Sequence, residues 1–411
     1  MQQLQYFTPS ELRSASFRTW VAELYQRTPK LLGTTASMPE VGSTYVSATT
    51  LDRHVLIRSD QSGAEGEYVC FVNSCAHLQL KFIPVGKIFD GKEVERQGKL
   101  GTLRFIVCPW HERGHRTNSG EFITKPGEQC RRLRKVETVR LGDLIFEAAD
   151  GSLPSFEALI NSPKFAELGI KPFEIPTNFR LVRTSDTPER FDAITGAANF
   201  AEDAHVGPSH RSTYAFLYDM KTLYVVVIDR EWSAQFVGWH KAERAMPQNA
   251  CGELRRLILA RTGGVAPAFG VIWYQFGAFD TMERFSIGTD VSDHVIVVSS
   301  FIPTKSGVGS RNVVEFYFPE NVASDSEFVD AFMAAYNEPG AEDRDLCLSA
   351  EEGYDARIES GYGDDPIIPS DSKEERCLLN YYNYLRQLEA TYGRHSANRE
   401  APALLKFAES H

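Results

Sequence analysis

The sequence predicts an α+β protein, an N-terminal antiparallel β domain followed by a larger helix-on-sheet domain. Three observations predict it. A chain of 411 residues is long enough for two to three domains. Between residues 36 and 149, short β-branched and aromatic runs such as Val55–Ile57, Tyr68–Val72 and Leu103–Val107 are punctuated by glycine and proline. Beyond residue 151, strand-like runs alternate with capped segments of helical period. The expected organisation is a helical segment at 1–35, a β domain at 36–150 and an α+β domain at 151–411.

The elements follow in order. Residues 9–27 predict a helix with Ser10 as cap and Leu12, Phe17, Trp20, Val21, Leu24 and Tyr25 on its apolar face. The last strand of the β domain is expected at Val139–Phe146, broken at Gly142-Asp143. Further strands are expected at Leu223–Ile228, Val271–Tyr274, His294–Ser299 and Asn312–Phe318. A capping box, Ser324 to Glu327, opens a helix expected to stop before Pro339. A second, Ser372 to Glu375, opens a helix whose buried stripe is Leu378, Tyr381, Leu385 and Leu388.

Composition excludes several classes. Apolar residues at 42% and charged residues at 24% fit a globular protein. No run approaches the ~20 apolar residues of a membrane helix, and Met1–Leu12 has no apolar core of a signal peptide, so a cytoplasmic protein is expected. A net charge of −11 argues against nucleic acid or an anionic membrane as partner. Seven cysteines, odd in number and irregular in spacing, read as ligands more than as a disulfide scaffold.

Two of them carry a pattern. Cys75-Ala-His77 and Cys108-Pro-Trp-His111 each follow a strand-like run, so two loops can converge on one metal centre. Two thiolates and two imidazoles suit a tetrahedral zinc. They also suit a Rieske [2Fe–2S] cluster, where each loop gives one ligand to each iron. Incidental buried cysteines and surface histidines are the plain alternative. The pairs resemble the C-x-H…C-x-x-H motif of Rieske proteins, and residues 36–150 resemble a Rieske domain. The family's Arg-Gly after the first histidine is Leu78-Gln79 here, and its Gly-Trp after the second is Glu112-Arg113. Thirty residues separate His77 from Cys108, longer than usual, with the excess placed in a hairpin extension at Asp90–Gly101.

A second constellation is Glu202, His205 and His210. On a helix Glu202 and His205 share a face, and Gly207-Pro208 then bends the chain so that His210 can turn toward the same point. Two imidazoles and a carboxylate make the facial triad of mononuclear non-haem iron. The third ligand is sought in 341–353, where Asp343, Leu346, Cys347 and Ala350 fall on one apolar stripe. Asp343 should point inward there, while Glu342 and Asp345 face elsewhere and remain fallbacks. Asp203 reads as a solvated helix charge, His115 as a free surface histidine, and Trp273 and Tyr274 as core more than pocket. Cys70, Cys130, Cys251, Cys347 and Cys377 read as inert.

The segment Asn199 to His210 resembles the N-x-x-D-x-x-H-x4-H motif of Rieske oxygenase α subunits, with Glu202 at the position of the Asp. Residues 341–353 resemble the family's E-D-x(n)-Q stretch, with Glu351 for the Gln. The resemblance implies the terminal oxygenase of a Rieske system. Cys75 and Cys108 would hold one iron of a [2Fe–2S] cluster and His77 and His111 the other. His205, His210 and Asp343 would hold Fe(II). Glu202 would link His205 to His111 of the partner subunit in a head-to-tail α3 trimer or a multiple of it. Electrons would come from a separate NAD(P)H-dependent reductase or ferredoxin. The first-ranked reaction is hydroxylation of a small organic, aromatic molecule. The second is oxidative demethylation or monooxygenation of an amine, quaternary ammonium or ether, toward which Glu202 leans, because relatives acting on carnitine-type substrates share it. A zinc-binding or electron-carrier protein is the alternative of another class; the 261 residues after residue 150 argue against a simple carrier.

Overall fold

The computed structural model describes residues 6–59, 67–76, 79–89, 91–100, 105–108, 113–123, 132–148, 163–228, 232–240, 246–369 and 372–393. The N-terminal helix is in fact two, α1 (Pro9–Arg13) and α2 (Ala15–Arg27). Thr8, not Ser10, caps the first, in a reciprocal box with Glu11, and Ser14 breaks the chain and caps the second. The predicted apolar face is buried, but against the second domain: Phe17, Trp20 and Leu24 share a core with Phe191, Ala197 and Tyr381.

The β domain is a set of short antiparallel strands. They are β1 (Leu31–Thr34), β2 (Ser43–Val46), β3 (His54–Ser59), β4 (Glu67–Val72), β5 (Ile88–Phe89), β6 (Lys92–Glu93), β7 (Gln97–Lys99), β8 (Phe105–Cys108), β9 (Arg113–Arg116), β10 (Lys135–Val136), β11 (Thr138–Leu141) and β12 (Leu144–Glu147). A five-stranded sheet runs β10-β4-β3-β2-β7, and a three-stranded one β1-β12-β11. The expected strand at 139–146 is a hairpin, because Gly142 turns at φ 57°. Part of the expected extension, 91–100, forms β6 and β7; residues 90 and 101 lie outside the described residues.

The larger domain is built on one seven-stranded antiparallel sheet, ordered β13-β19-β18-β17-β16-β15-β14. Its strands are β13 (Phe179–Glu189), β14 (Tyr218–Ile228), β15 (Trp232–Trp239), β16 (Val271–Phe276), β17 (Asp280–Ser286), β18 (His294–Pro303) and β19 (Ser310–Pro319). Both faces are covered. Trp273, Val297 and Phe316 meet the helices, while Tyr274, Val298 and Tyr317 meet Leu31, Leu144 and Phe146 of the β domain. Double burial is why these strands read as near-continuous apolar runs. Between the two domains Glu315, fully buried, accepts from the hydroxyls of Tyr45 and Tyr317.

Among the helices on the sheet are α3 (Ala193–Phe200), α4 (Val206–Ser209), α5 (Ser326–Glu359) and α6 (Arg376–Tyr392). Pro339 does not end α5, which runs 34 residues through it, and Asp325 rather than Ser324 caps it. A proline inside a helix frees the carbonyl four residues back. Here that carbonyl, of Ala335, accepts from the thiol of Cys251 at 3.5 Å. The rest of the helix is held by tertiary contacts that no local signal encodes. In α6, Tyr381, Leu385 and Leu388 are buried as expected, with Leu378 at the edge. Among the described residues, no helix is long and apolar enough to cross a membrane.

Candidate metal centre

α3 is a helix of small residues because it lies tight on the sheet. A Cβ at Gly196 would stand 2.6 Å from the Phe301 ring and 2.9 Å from Phe191. Its first turn is closed by a residue of α5: Glu351 accepts from the backbone N–H of Asp192 at 2.6 Å and from the Thr195 hydroxyl at 2.9 Å. Arg13 pairs with the same carboxylate and with Asp355 at 2.8 Å. α3, which leads into the histidine segment, and α5, which bears Asp343, are thus locked together, with the N-terminal helices across them.

After α3 the chain turns, so Glu202 is not on the helix of His205 as expected. Glu202 lies in the turn and His205 caps α4, inside which Gly207 and Pro208 are helical. The pairing of Glu202 and His205 survives. Glu202 accepts from the His205 backbone N–H at 3.0 Å and lies 2.6 Å from His205 Nδ1. With Nδ1 tied there, Nε2 of His205 faces Asp343 Oδ1 at 3.3 Å. His210 repeats the plan. Its Nδ1 is 2.6 Å from Glu342 and its Nε2 3.0 Å from the same Asp343 oxygen. Asn199 Nδ2 donates to that oxygen at 2.9 Å.

One ligand atom from each of His205, His210 and Asp343 lies within 4.8 Å of the others. Asp345 is exposed and takes no part, whereas Glu342 does not face elsewhere as expected. It also accepts from Thr213 at 2.8 Å, and it orients His210 as Glu202 orients His205. Imidazoles that present Nε2 to one point while Nδ1 rests on a carboxylate are the usual arrangement around a metal. The donor set therefore fits a divalent cation with open positions. The electrostatics agree. Burial disfavours a charged His205, but the bonds to Asp343 and Glu202 outweigh it and raise it to about 10. Burial pushes Asp343 up, yet the two histidines hold it below the usual carboxylate range. A site that gathers protons so strongly is one where a cation belongs.

Above the cluster lies a cavity of about 300 Å³. Strand alternation decides part of its wall: Trp273 lines it, and Tyr274 points to the opposite core. Cys347, Glu283, Tyr336 and Tyr214 also line it. Asp203, expected in solvent, is buried at the cavity edge, beside the Gln235 amide, which donates to it in the orientation that satisfies both groups. The sequence carried no signal for Glu283 or Tyr336, which reach the cavity through sheet register and helix docking.

In the β domain, Cys75 and Cys108 are both buried and share one core with Val69, Phe71 and Phe82. Asn73 pins the first loop by donating to Asp52 O and Ile83 O and accepting from the Ile83 N–H, all within 2.9 Å. His77, Leu78 and residues 109–112, His111 among them, lie outside the described residues, as does Cys130. The described cysteines form no disulfide. Two buried thiols in one core fit one half of a cluster site. His115 is not a surface residue; it is fully buried between Phe82 and Phe122.

Residues 30–147 match the Rieske [2Fe-2S] domain. Over 378 residues the chain is 26% identical to putrescine 2-hydroxylase of Bordetella bronchiseptica, covering 89% of this chain and 80% of that one. The chain thus carries a Rieske domain, and along most of its length it is similar to Rieske oxygenases. It is an oxygenase with a Rieske cluster and a mononuclear iron. The fold of the oxygenase is also that of a quaternary ammonium Rieske monooxygenase, at TM-score 0.65 and 14% identity over 93% of this chain and 95% of that one. Naphthalene 1,2-dioxygenase from Rhodococcus sp. gives TM-score 0.65 and 16% identity over 94% and 95%.

Proposed function

We propose that this oxygenase hydroxylates an aliphatic amine, inserting one oxygen atom at a C–H bond while the other leaves as water. Two electrons and two protons complete the balance, the electrons arriving from a separate reductase or ferredoxin. The observation that carries the reading is the number of carboxyl groups in the cavity wall. Glu189, Glu202, Asp203, Glu283 and Asp343 line it, against one arginine, Arg344, which is spent on Glu189 at 2.9 Å. Burial pushes Glu283 and Asp203 up, and an ammonium supplies the counter-charge that lets such a carboxyl ionise, which favours a cationic guest. The relative named putrescine 2-hydroxylase supports the same class, and so does Glu202. This reverses the order of the two substrate readings drawn from the sequence, where an aromatic molecule came first.

His205, His210 and Asp343 are assigned to the iron, and Cys75, His77, Cys108 and His111 to the cluster. When bound, these groups supply oxygen activation and single electrons. The chain's own side chains do the rest. Glu202 and Glu342 hold the Nδ1 protons of the two histidines and so aim Nε2 inward. Asn199 fixes the inner oxygen of Asp343. Phe200, Val206, Phe301 and Val314 give the cavity apolar walls that exclude water from the alkyl part of the guest. Glu202 is assigned the further task of reaching His111 of the partner subunit, which requires a head-to-tail ring, an α3 trimer in the simplest form. The domain limits 36–150 and 151–411 are kept, with α1 and α2 assigned to the second domain.

The test is turnover under 18O2 with NADH and an added Rieske reductase, offering butane-1,4-diamine, carnitine and naphthalene. The expected product is a hydroxylated diamine with one 18O. A naphthalene cis-diol with no product from either amine would overturn the reading.

A further inference from the structure

Glu283 is 3% exposed and stands in the cavity wall. β17 presents it directly opposite Trp273 of β16. Its carboxylate is held by two neutral donors, the Tyr336 hydroxyl at 2.8 Å and Trp273 Nε1 at 3.1 Å. Among the described residues no cation acts on it. Of the other acids of the cavity, Glu189 has Arg344 and Glu202 and Asp343 have the histidines, while Asp203 lies at the edge beside the neutral Gln235 amide. A buried carboxylate without a counter-charge is costly. Burial pushes Glu283 up to about 8, against the pull of the Tyr336 and Trp273 bonds.

We propose that Glu283 binds the ammonium of the substrate, a primary aliphatic amine or diamine whose carbon chain then runs to the His205–His210–Asp343 cluster. This rests on the amine reading above. Two observations select a primary amine. The carboxylate accepts two hydrogen bonds and retains lone pairs for further donors, and only an N–H can fill them; a quaternary ammonium has none. The span is also suitable. Tyr336 and Asp343 lie seven residues apart on α5, two turns or about 10 Å along the axis, which a chain of a few carbons bridges. The rings of Trp273 and Tyr214, 6.3 Å apart, flank the site and favour a cation.

Binding moves a proton. The amine arrives as ammonium, Glu283 gives up its proton to solvent, and the ion pair remains. The other titratable groups facing Glu283 are Tyr336, Tyr214, Tyr218 and Asp343. Burial pushes the three tyrosines well above their usual value, so they keep their protons at neutral pH.

The experiment is calorimetry on the anaerobic holoenzyme at pH 7 in buffers of different ionisation enthalpy. The probes are butane-1,4-diamine, n-butylamine, pentan-1-ol and naphthalene. The wild type should bind both amines with release of close to one proton. Glu283→Gln should weaken amine binding about 10- to 100-fold and leave pentan-1-ol unchanged, with Glu283→Asp in between. If Glu283→Gln binds the amines like the wild type, the assignment of Glu283 fails while the amine reading stands. If the wild type binds naphthalene and no amine, both fail. Should Glu283→Gln not fold, Glu283→Asp binding the amines as tightly as the wild type overturns the proposal.

Discussion

Replacing Glu342 by Gln should weaken iron binding by about 5- to 10-fold. The side chain takes the His210 Nδ1 proton at 2.6 Å and the Thr213 hydroxyl at 2.8 Å through one oxygen. A hydrogen bond to a charged group contributes about 1.5–3 kcal/mol and a neutral one about 0.5–1.5. The amide keeps the shape and loses the charge, so the difference is about 1–1.5 kcal/mol. Glu342 is 36% exposed while the His210 ring is almost fully buried, and solvent screening places the effect at the lower end. At 1.4 kcal/mol per decade this gives the stated factor. Glu342→Ala removes the contact altogether and should lose about 10- to 100-fold, as other such outer carboxylates do. The assay is competition for Fe(II) between the apo mononuclear site and a chelator, with thermal melting as the control for folding. If both variants melt like the wild type and bind iron equally well, Glu342 does not orient His210.

Two further outcomes test the frame. Gly196→Ala should cost about 1–3 kcal/mol in urea unfolding, because its methyl meets Phe301 and Phe191; an unchanged midpoint would mean α3 does not press on the sheet. Burial pushes His294 down to about 3 and His54 to about 4, both below the ordinary 6.5. Below pH 6.5 the unfolded chain therefore binds more protons than the folded one, and stability falls with pH toward 4 by up to about 1.4 kcal/mol per unit for each histidine. His294→Gln should flatten the dependence of Tm on pH in that window, and an unaltered slope would contradict the buried neutral state.

The strands were legible because a sheet buried on both faces leaves β-branched runs that nothing else explains, as in His294–Pro303. The convergence of His205, His210 and Asp343 is legible because spacing and an apolar stripe constrain them. What failed were inferences from local signals that tertiary contacts override. Pro339 reads as a stop, yet Cys251 takes up the carbonyl it frees and the helix continues. Asp203 reads as solvated, yet Gln235 receives it in the core. Glu342 was assigned to the wrong face, because the neighbour of a ligand on a helix can still reach round to the outer nitrogen of a histidine from another segment. Glu283 and Tyr336 carried no signal, since sheet register and the docking of α5 alone bring them to the cavity.

The central claim is that one chain holds a cluster and a separate iron, the latter on His205, His210 and Asp343. Iron and sulfide analysis of anaerobically purified wild type and Asp343→Ala, with a paramagnetic resonance spectrum after reduction, tests it most directly. The wild type should give about three irons and two sulfides per chain with a rhombic Rieske signal. The variant should give about two irons and two sulfides, the same signal and no substrate-dependent oxygen uptake. A variant that keeps its third iron, or a wild type that holds zinc without sulfide after cluster reconstitution, would contradict the account.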